Sequence, residues 1–205
     1  MAMQKHYPTY DVLEQMDHWD DHTQKIVQKR LEPLHQLRFF RPEQMTLLME
    51  LAARLTGDPR PEIGQYIVKH LDQSLAKDAG EGERHVNSPP QAQLIREGLN
   101  ALEQSTVAHL LAPFAGLQPE QQRSILSMIQ GGMTPYPQYW KHVDPTIFMK
   151  KLVQLVIEAY YSHPHVWSDI GYGGPAYPRG YVRTELGQLD PWEAKRKHAE
   201  EKIRE

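Results

Sequence analysis

The chain has 205 residues, 40% of them hydrophobic and 24% charged, and its 23 Lys and Arg against 26 Asp and Glu leave a net charge of -3. That length holds one domain, or at most two small ones, with a buried core, and the composition excludes wholesale disorder. The mildly acidic balance speaks against a nucleic-acid surface spread over the domain, and the absence of Cys removes disulfide scaffolds, thiolate metal sites, iron–sulfur clusters and Cys nucleophiles. The first twenty residues contain no apolar signal core and no twin arginine, and no run of about 18 apolar residues follows. The expectation is a soluble, cytoplasmic protein.

Periodicity predicts helices almost throughout. The first spans Asp17 to Leu31, with Asp17, Asp20 and Asp21 in its first turn and Lys25, Lys29 and Arg30 towards its end, the polarity that complements a helix dipole. Pro42 opens a second helix with Met45, Leu48, Leu51, Ala52 and Leu55 on one face, stopped by Gly57 and Pro59. A third starts at Pro61 and carries an Ile63, Ile67, Leu71, Leu75 stripe with Tyr66 beside it. Lys77 to Pro90 is polar and reads as an exposed loop, the expected point of proteolytic nicking.

Gln91 to Leu111 forms a long helix with Leu94, Ile95, Leu99, Leu102, Thr106, Leu110 and Leu111 inward. Pro119 opens another, with Ile125, Leu126 and Ile129, ended by Gly131 and Gly132. The helix from Pro145 to Tyr161 gathers its polar residues 150, 151, 154 and 158 on one narrow stripe. Apolar nearly all round otherwise, it reads as the core helix. Pro-Glu-Gln recurs at 42–44 and 119–121, which is either ordinary helix-start chemistry or the trace of a duplication.

From His163 the periodicity ends. Five glycines and four prolines between His163 and Pro191 argue against a regular helix there, yet Trp167, Tyr172, Tyr177 and Tyr181 are too aromatic for a solvated linker. Asp190, Pro191 and Glu193 have the N-cap, N1 and N3 chemistry of a last, highly charged helix. Alternating strand patterns are nearly absent. The expected architecture is all-α, an irregular bundle of about seven helices around the apolar helix. The domain expected is 1–189, with an N-terminal arm and helix (1–32) and an irregular packed segment (163–189), followed by a charged C-terminal helix or tail (190–205).

No residue set amounts to a catalytic constellation. His18 and His22 lie four apart on the predicted first helix, so two imidazoles one turn apart can chelate a metal. Trp19 stands where a metallopeptidase helix needs Glu, and the alternative is an acidic first turn anchored by Trp19. His163 and His165 sit at the end of the apolar helix with no assignable Ser or Asp around them. Gly171-Tyr172-Gly173-Gly174-Pro175-Ala176 matches a dinucleotide fingerprint in letters only, because Tyr177-Pro178-Arg179-Gly180 cannot open the helix that the mechanism requires. The cluster 195–197, followed by Glu200 and Glu201, reads as a solvated helix.

The tail carries the more specific signal. Tyr160-Tyr161-Ser162-His163-Pro164, Trp167, Ile170-Gly171-Tyr172-Gly173-Gly174-Pro175 and Gly180-Tyr181 resemble the C-terminal signature of the gluconate 2-dehydrogenase subunit 3 family. Leu117 to Gln122, and Phe39-Phe40 with Tyr66 to Asp72, look alike too, so the resemblance covers roughly 37–181. It implies a non-catalytic accessory subunit with no cofactor of its own. The partner implied is a large subunit of the glucose–methanol–choline oxidoreductase type that carries FAD and oxidises a sugar or polyol, with a cytochrome c subunit as a further member. Many members of the family begin with a Tat signal, and none is seen here. Tyr and Trp concentrate at interface hot spots. The partner-binding residues expected are therefore Tyr160, Tyr161, His163, Pro164, Trp167, Tyr172, Gly173, Gly174, Tyr177 and Tyr181, joined by Tyr7, Tyr10 and Trp19 of the N-terminal arm. The alternative for the rings is that they fill the domain's own core. The alternative for the protein is a standalone metal protein or enzyme built on its histidines.

Overall fold

Proline at the first helical position opens five of the seven α-helices among the described residues. Its fixed φ suits the first turn, and its missing N–H is one the turn would leave unbonded. The seven are α1 (Asp21–Leu31), α2 (Pro42–Thr56), α3 (Pro61–Ala76), α4 (Gln91–Leu110), α5 (Pro119–Gln130), α6 (Pro145–Tyr160) and α7 (Pro164–Ile170), with 3-10 turns at Val12–His18, Phe114–Gly116 and Pro137–Trp140. The computed structural model describes residues 6–77, 88–134, 136–177, 179–180, 182–183, 185 and 187–195. Among them there is no strand, and no helix is long and apolar enough to cross a membrane. The fold is all-α.

The chain divides into two compact units: a middle unit, Leu34–Ala159, and a terminal unit that joins Met1–Pro33 to Tyr160–Glu205. In the middle unit α2 and α3 form a packed pair. Leu48, Leu51 and Ala52 of α2 and the Ile63, Ile67, Leu71, Leu75 stripe of α3 are buried, as their spacing implies. The two Pro-Glu-Gln starts share one device. The Gln44 side chain accepts from the Arg41 amide at 3.0 Å, and that of Gln121 from the Gln118 amide at 3.0 Å. Each returns an acceptor to the residue that precedes its proline, half of a capping box.

Helix α6 buries Phe148, Met149, Leu152, Leu155, Val156 and Ala159 and exposes Lys150, Gln154 and Glu158. Phe148 lies so close to α4 that a Cβ on Gly98 would meet its ring at 2.0 Å. Only glycine permits that approach. On α4 the predicted inner face holds through Thr106. Leu111, however, is 90% exposed and takes the left-handed conformation (φ 55°) that ends the helix.

The carboxylate of Asp72, fully buried in α3, accepts three consecutive backbone amides, those of Arg38 (2.8 Å), Phe39 (2.9 Å) and Phe40 (2.9 Å). Donors converging on an ionised acceptor make strong hydrogen bonds, and these fix the entry to α2 against α3. Removing the acceptor strands amides that have no other partner in the turn. Asp72→Ala is therefore expected to lower the unfolding free energy by about 3 kcal/mol, with Asp72→Asn costing less, as read by urea denaturation.

Three sequence expectations change. The helix expected from Asp17 to Leu31 is broken at Trp19, whose backbone is extended, and α1 starts after Asp20, whose carboxylate accepts from the Thr23 amide at 2.9 Å. All three early aspartates suit a first turn, so charge alone did not choose among them. The stretch after His163 does contain a helix, α7. Of the expected start set at Asp190, Pro191 and Glu193, the Glu193 carboxylate does accept from the Asp190 amide at 2.7 Å, but the Asp190 side chain returns no cap. Its carboxylate instead accepts from the Val182 (3.2 Å) and Arg183 (2.8 Å) amides that precede it. Residues 78–87 of the expected loop and, from 196 onward, the expected charged C-terminal helix or tail lie outside the described residues.

Candidate functional site

The aromatic segment after α6 is braced from within the terminal unit. His163 is the N-cap of α7, its Nδ1 accepting from the His165 amide at 3.1 Å. That bond requires a lone pair on Nδ1, so the buried ring works here as a cap. Trp167, on α7, joins Val12, Trp19 and Val27 in a buried cluster against which Tyr10, Leu13 and Met16 pack. Its indole N–H donates to the Tyr161 carbonyl at 2.6 Å, and the Arg30 guanidinium lies 5.0 Å from its ring. Arg30 also donates to the Ser162 carbonyl at 2.5 Å, and Ser168 Oγ accepts from the Val12 amide at 3.0 Å.

The turn that follows is shaped around Trp19, whose indole donates to the Pro175 carbonyl at 3.1 Å. Gly174 has φ +81°, and a Cβ there would meet the Trp19 ring at 2.3 Å. Both the backbone and the space exclude any other residue. Arg179 stacks on two indoles, 4.7 Å from the Trp192 ring and 5.4 Å from that of Trp19, and donates to the carbonyls of Gly173 and Gly174. The Tyr10 hydroxyl donates to the Trp192 carbonyl at 2.6 Å. Burial pushes this phenol up to about 12, with the Arg179 guanidinium pulling the other way and Glu193 and Asp11 adding to the rise.

This frame sorts the expected partner-binding residues. Tyr160, His163, Pro164, Trp167, Gly173 and Gly174 are buried, whereas Tyr161, Tyr172 and Tyr177 are 51%, 44% and 73% exposed. Tyr181 lies outside the described residues. The exposed Tyr172 ring stands edge-on against Trp167, 5.5 Å away. Three framing residues escaped the sequence reading: Arg179 and Ser168, which give no local signal, and Trp192, hidden in a stretch that reads as charged helix.

The model of one family, gluconate 2-dehydrogenase subunit 3, matches residues 42–174. The chain belongs to the gluconate 2-dehydrogenase subunit 3 family. No curated protein and no solved structure matches it. As a member of a subunit family it is an accessory part of a multi-subunit complex. The match takes in most of the middle unit and runs through α7 to Gly174, while the N-terminal arm that supplies Tyr10, Val12, Trp19 and Arg30 precedes it.

Two other chemistries of this subunit 3 chain can be checked on the same geometry. His18 ends a 3-10 turn, with its ring 5.3 Å from Trp192, and His22 lies in the first turn of α1. The break at Trp19 removes the shared helical face that chelation would use. Among the described residues, no group of three or more His, Cys, Asp or Glu is arranged to hold a metal ion. The glycines of 171–174 do not fit a dinucleotide. A helix, not a strand, precedes them, and indole rings occupy the faces of Gly173 and Gly174 where a pyrophosphate would lie.

Two expected outcomes follow from the frame. Gly174→Ala should cost about 2 kcal/mol, from the left-handed backbone together with displacement of Trp19, measured by chemical denaturation. Tyr10 has its pKa raised on folding, so its contribution is complete below pH 10 and is lost as pH rises towards about 12. Wild type should therefore lose its stability advantage over Tyr10→Phe across that window. Fluorescence reads this directly, since three of the four tryptophans (Trp19, Trp167 and Trp192) belong to the terminal unit.

Proposed function

We propose that this chain is the small, non-catalytic accessory subunit of a flavin-dependent sugar or polyol dehydrogenase, whose large subunit is of the glucose–methanol–choline type and carries the FAD. Its task on this reading is to bind and stabilise, or to mature, that large subunit, with a cytochrome c subunit as the electron acceptor of the complex. The observation that carries the reading is the family match across residues 42–174. The chemistry of hydride removal belongs to the flavin on the partner, and this chain contributes shape.

The arrangement of the terminal unit supports such a role. Tyr161, Tyr172 and Tyr177 present large rings to solvent from a segment whose backbone is already fixed by Trp19, Trp167 and Arg179. Rings held on a rigid frame lose little conformational entropy on docking, which is the usual way for tyrosine to contribute at an interface. On this view the buried members of the segment act as scaffold and the three exposed tyrosines as contacts.

The test is isolation of the tagged full-length chain from its native host. A co-purifying large subunit with a flavin absorbance near 450 nm, in fixed ratio to this chain, is the expected result. Tyr177→Ala should weaken the complex at least about tenfold, as read by titration of the two purified subunits, without changing the denaturation midpoint of the isolated chain, whereas Tyr172→Ala should also lower that midpoint because its ring packs on Trp167. Recovery of the chain alone, or turnover of a sugar by the chain without a partner, would overturn the proposal.

A further inference from the structure

In the middle unit, the approach to α2, the end of α3 and the start of α4 line a cavity of about 780 Å³. Among the described residues its lining brings together Arg38, Lys77 and Arg96 with apolar Phe39, Leu75 and Pro90, and it includes no carboxylate. The chain as a whole has a net charge of -3, so three cations in one cavity run against its composition. All three are exposed, and no ion pair among the described residues uses any of them. Like charges gathered without a counter-charge repel, and an anion among them removes that cost. Asp72 of α3 and Glu97 of α4 are close in sequence, and neither belongs to the lining. The Asp72 carboxylate is buried and taken up by the Arg38, Phe39 and Phe40 amides, and that of Glu97 accepts from Gln93 Nε2 at 2.7 Å.

The cations are also set for use. The bonds from Asp72 fix the backbone that carries Arg38. The Arg96 guanidinium lies 4.3 Å from the centre of the Phe39 ring. A guanidinium stacked in this way keeps the N–H groups at its edge for acceptors in its plane. Ala92 and Gln93, further members of the lining, belong to the first turn of α4, the positive end of its dipole, which has no side-chain cap.

We propose that this cavity binds a small organic phosphate monoester, its phosphate held by Arg38, Lys77 and Arg96 and its carbon part against Leu75 and Pro90. The volume is that of a small-molecule site. A tetrahedral dianion offers oxygens in several directions and so engages two guanidinium forks and an ammonium at once, where a monocarboxylate offers one charge and two oxygens in a plane. The inference is independent of the accessory-subunit reading, because this chain alone supplies the site.

The test is calorimetric titration of the purified full-length chain with phenyl phosphate at neutral pH and low salt. Saturable binding at one site is expected, weakened by added NaCl as screening requires. The backbone amide resonances that shift should be those of residues 38–39, 73–77 and 90–96. Arg38→Gln and Arg96→Gln should each weaken binding at least about tenfold, and Lys77→Gln about threefold, since hydrogen bonds to a charged group are the strong ones. Benzoate, with the same ring and one charge, should bind at least about tenfold more weakly. Lys150→Gln, on the exposed side of α6, should bind as wild type. Circular dichroism and denaturation midpoints identical to wild type establish that the variants fold, and Arg38→Gln with Lys77→Gln decides the matter if loss of the Phe39 stack unfolds Arg96→Gln. No saturable binding, equal binding of benzoate, shifts confined to other residues, or wild-type affinity in Arg38→Gln and Lys77→Gln overturns the inference. The stretch 78–87 carries Asp78, Glu81 and Glu83. If phenyl phosphate binds only after these are changed to Asn, Gln and Gln, the cavity serves an acidic segment of the chain itself, and the inference falls.

Discussion

Backbone that leaves helical geometry must find its hydrogen bonds elsewhere, and in this chain single side chains from distant positions supply them. Asp72 does so for three consecutive amides ahead of α2. In the terminal unit the same work is shared. Asp190 receives the Val182 and Arg183 amides, Ser168 receives that of Val12, and the indoles of Trp19 and Trp167 saturate the carbonyls of Pro175 and Tyr161. Trp167 and Ser168 tie their partners to α7, whereas the Asp190 and Trp19 bonds join one irregular stretch to another. The aromatic segment can therefore be rich in glycine and proline and still hold a defined course.

Much of the helical layout was legible because its punctuation is local. Pro42, Pro61, Pro119 and Pro145 mark helix starts in the sequence and in the structure alike. Pro164 carries the same mark, with His163 ahead of it as a cap, but the five glycines and four prolines of the surrounding stretch outweighed it. The break at Trp19 was illegible for a different reason. Asp17, Asp20 and Asp21 all suit a first turn, and the choice of Asp20 follows from Trp19 turning its ring inward. That is a tertiary contact, invisible to periodicity.

The candidate site was half legible for the same cause. Composition shows that the rings after His163 must be covered by something, and it cannot say by what. Trp19 meets Pro175 across 156 residues, and Tyr10 meets Trp192 across 182. Pairs so far apart leave no spacing to read. Hence Trp167 and Tyr172, neighbours in the same motif, could not be separated on the page, although one is 4% exposed and the other 44%. The dinucleotide pattern at 171–176 failed for a reason the sequence did state, the lack of a helix-forming stretch after it. The structure adds that indoles fill the space.

The boundary of the family match sharpens what the N-terminal arm is for. The match begins at residue 42, yet α7, inside it, has its core completed by Val12, Trp19 and Val27, which precede it. Without that arm Trp167 would lose its apolar neighbours, Ser168 its bond to the Val12 amide and Gly174 the ring that its shape accommodates. The backbone under the exposed tyrosines would then keep only its Trp167 and Arg179 contacts, and on the proposed reading ordering it at an interface would draw on the binding energy itself. In this chain the arm is the element that converts a glycine-rich segment into a preorganised surface. Its sequence is constrained by the segment it braces and need not touch any partner.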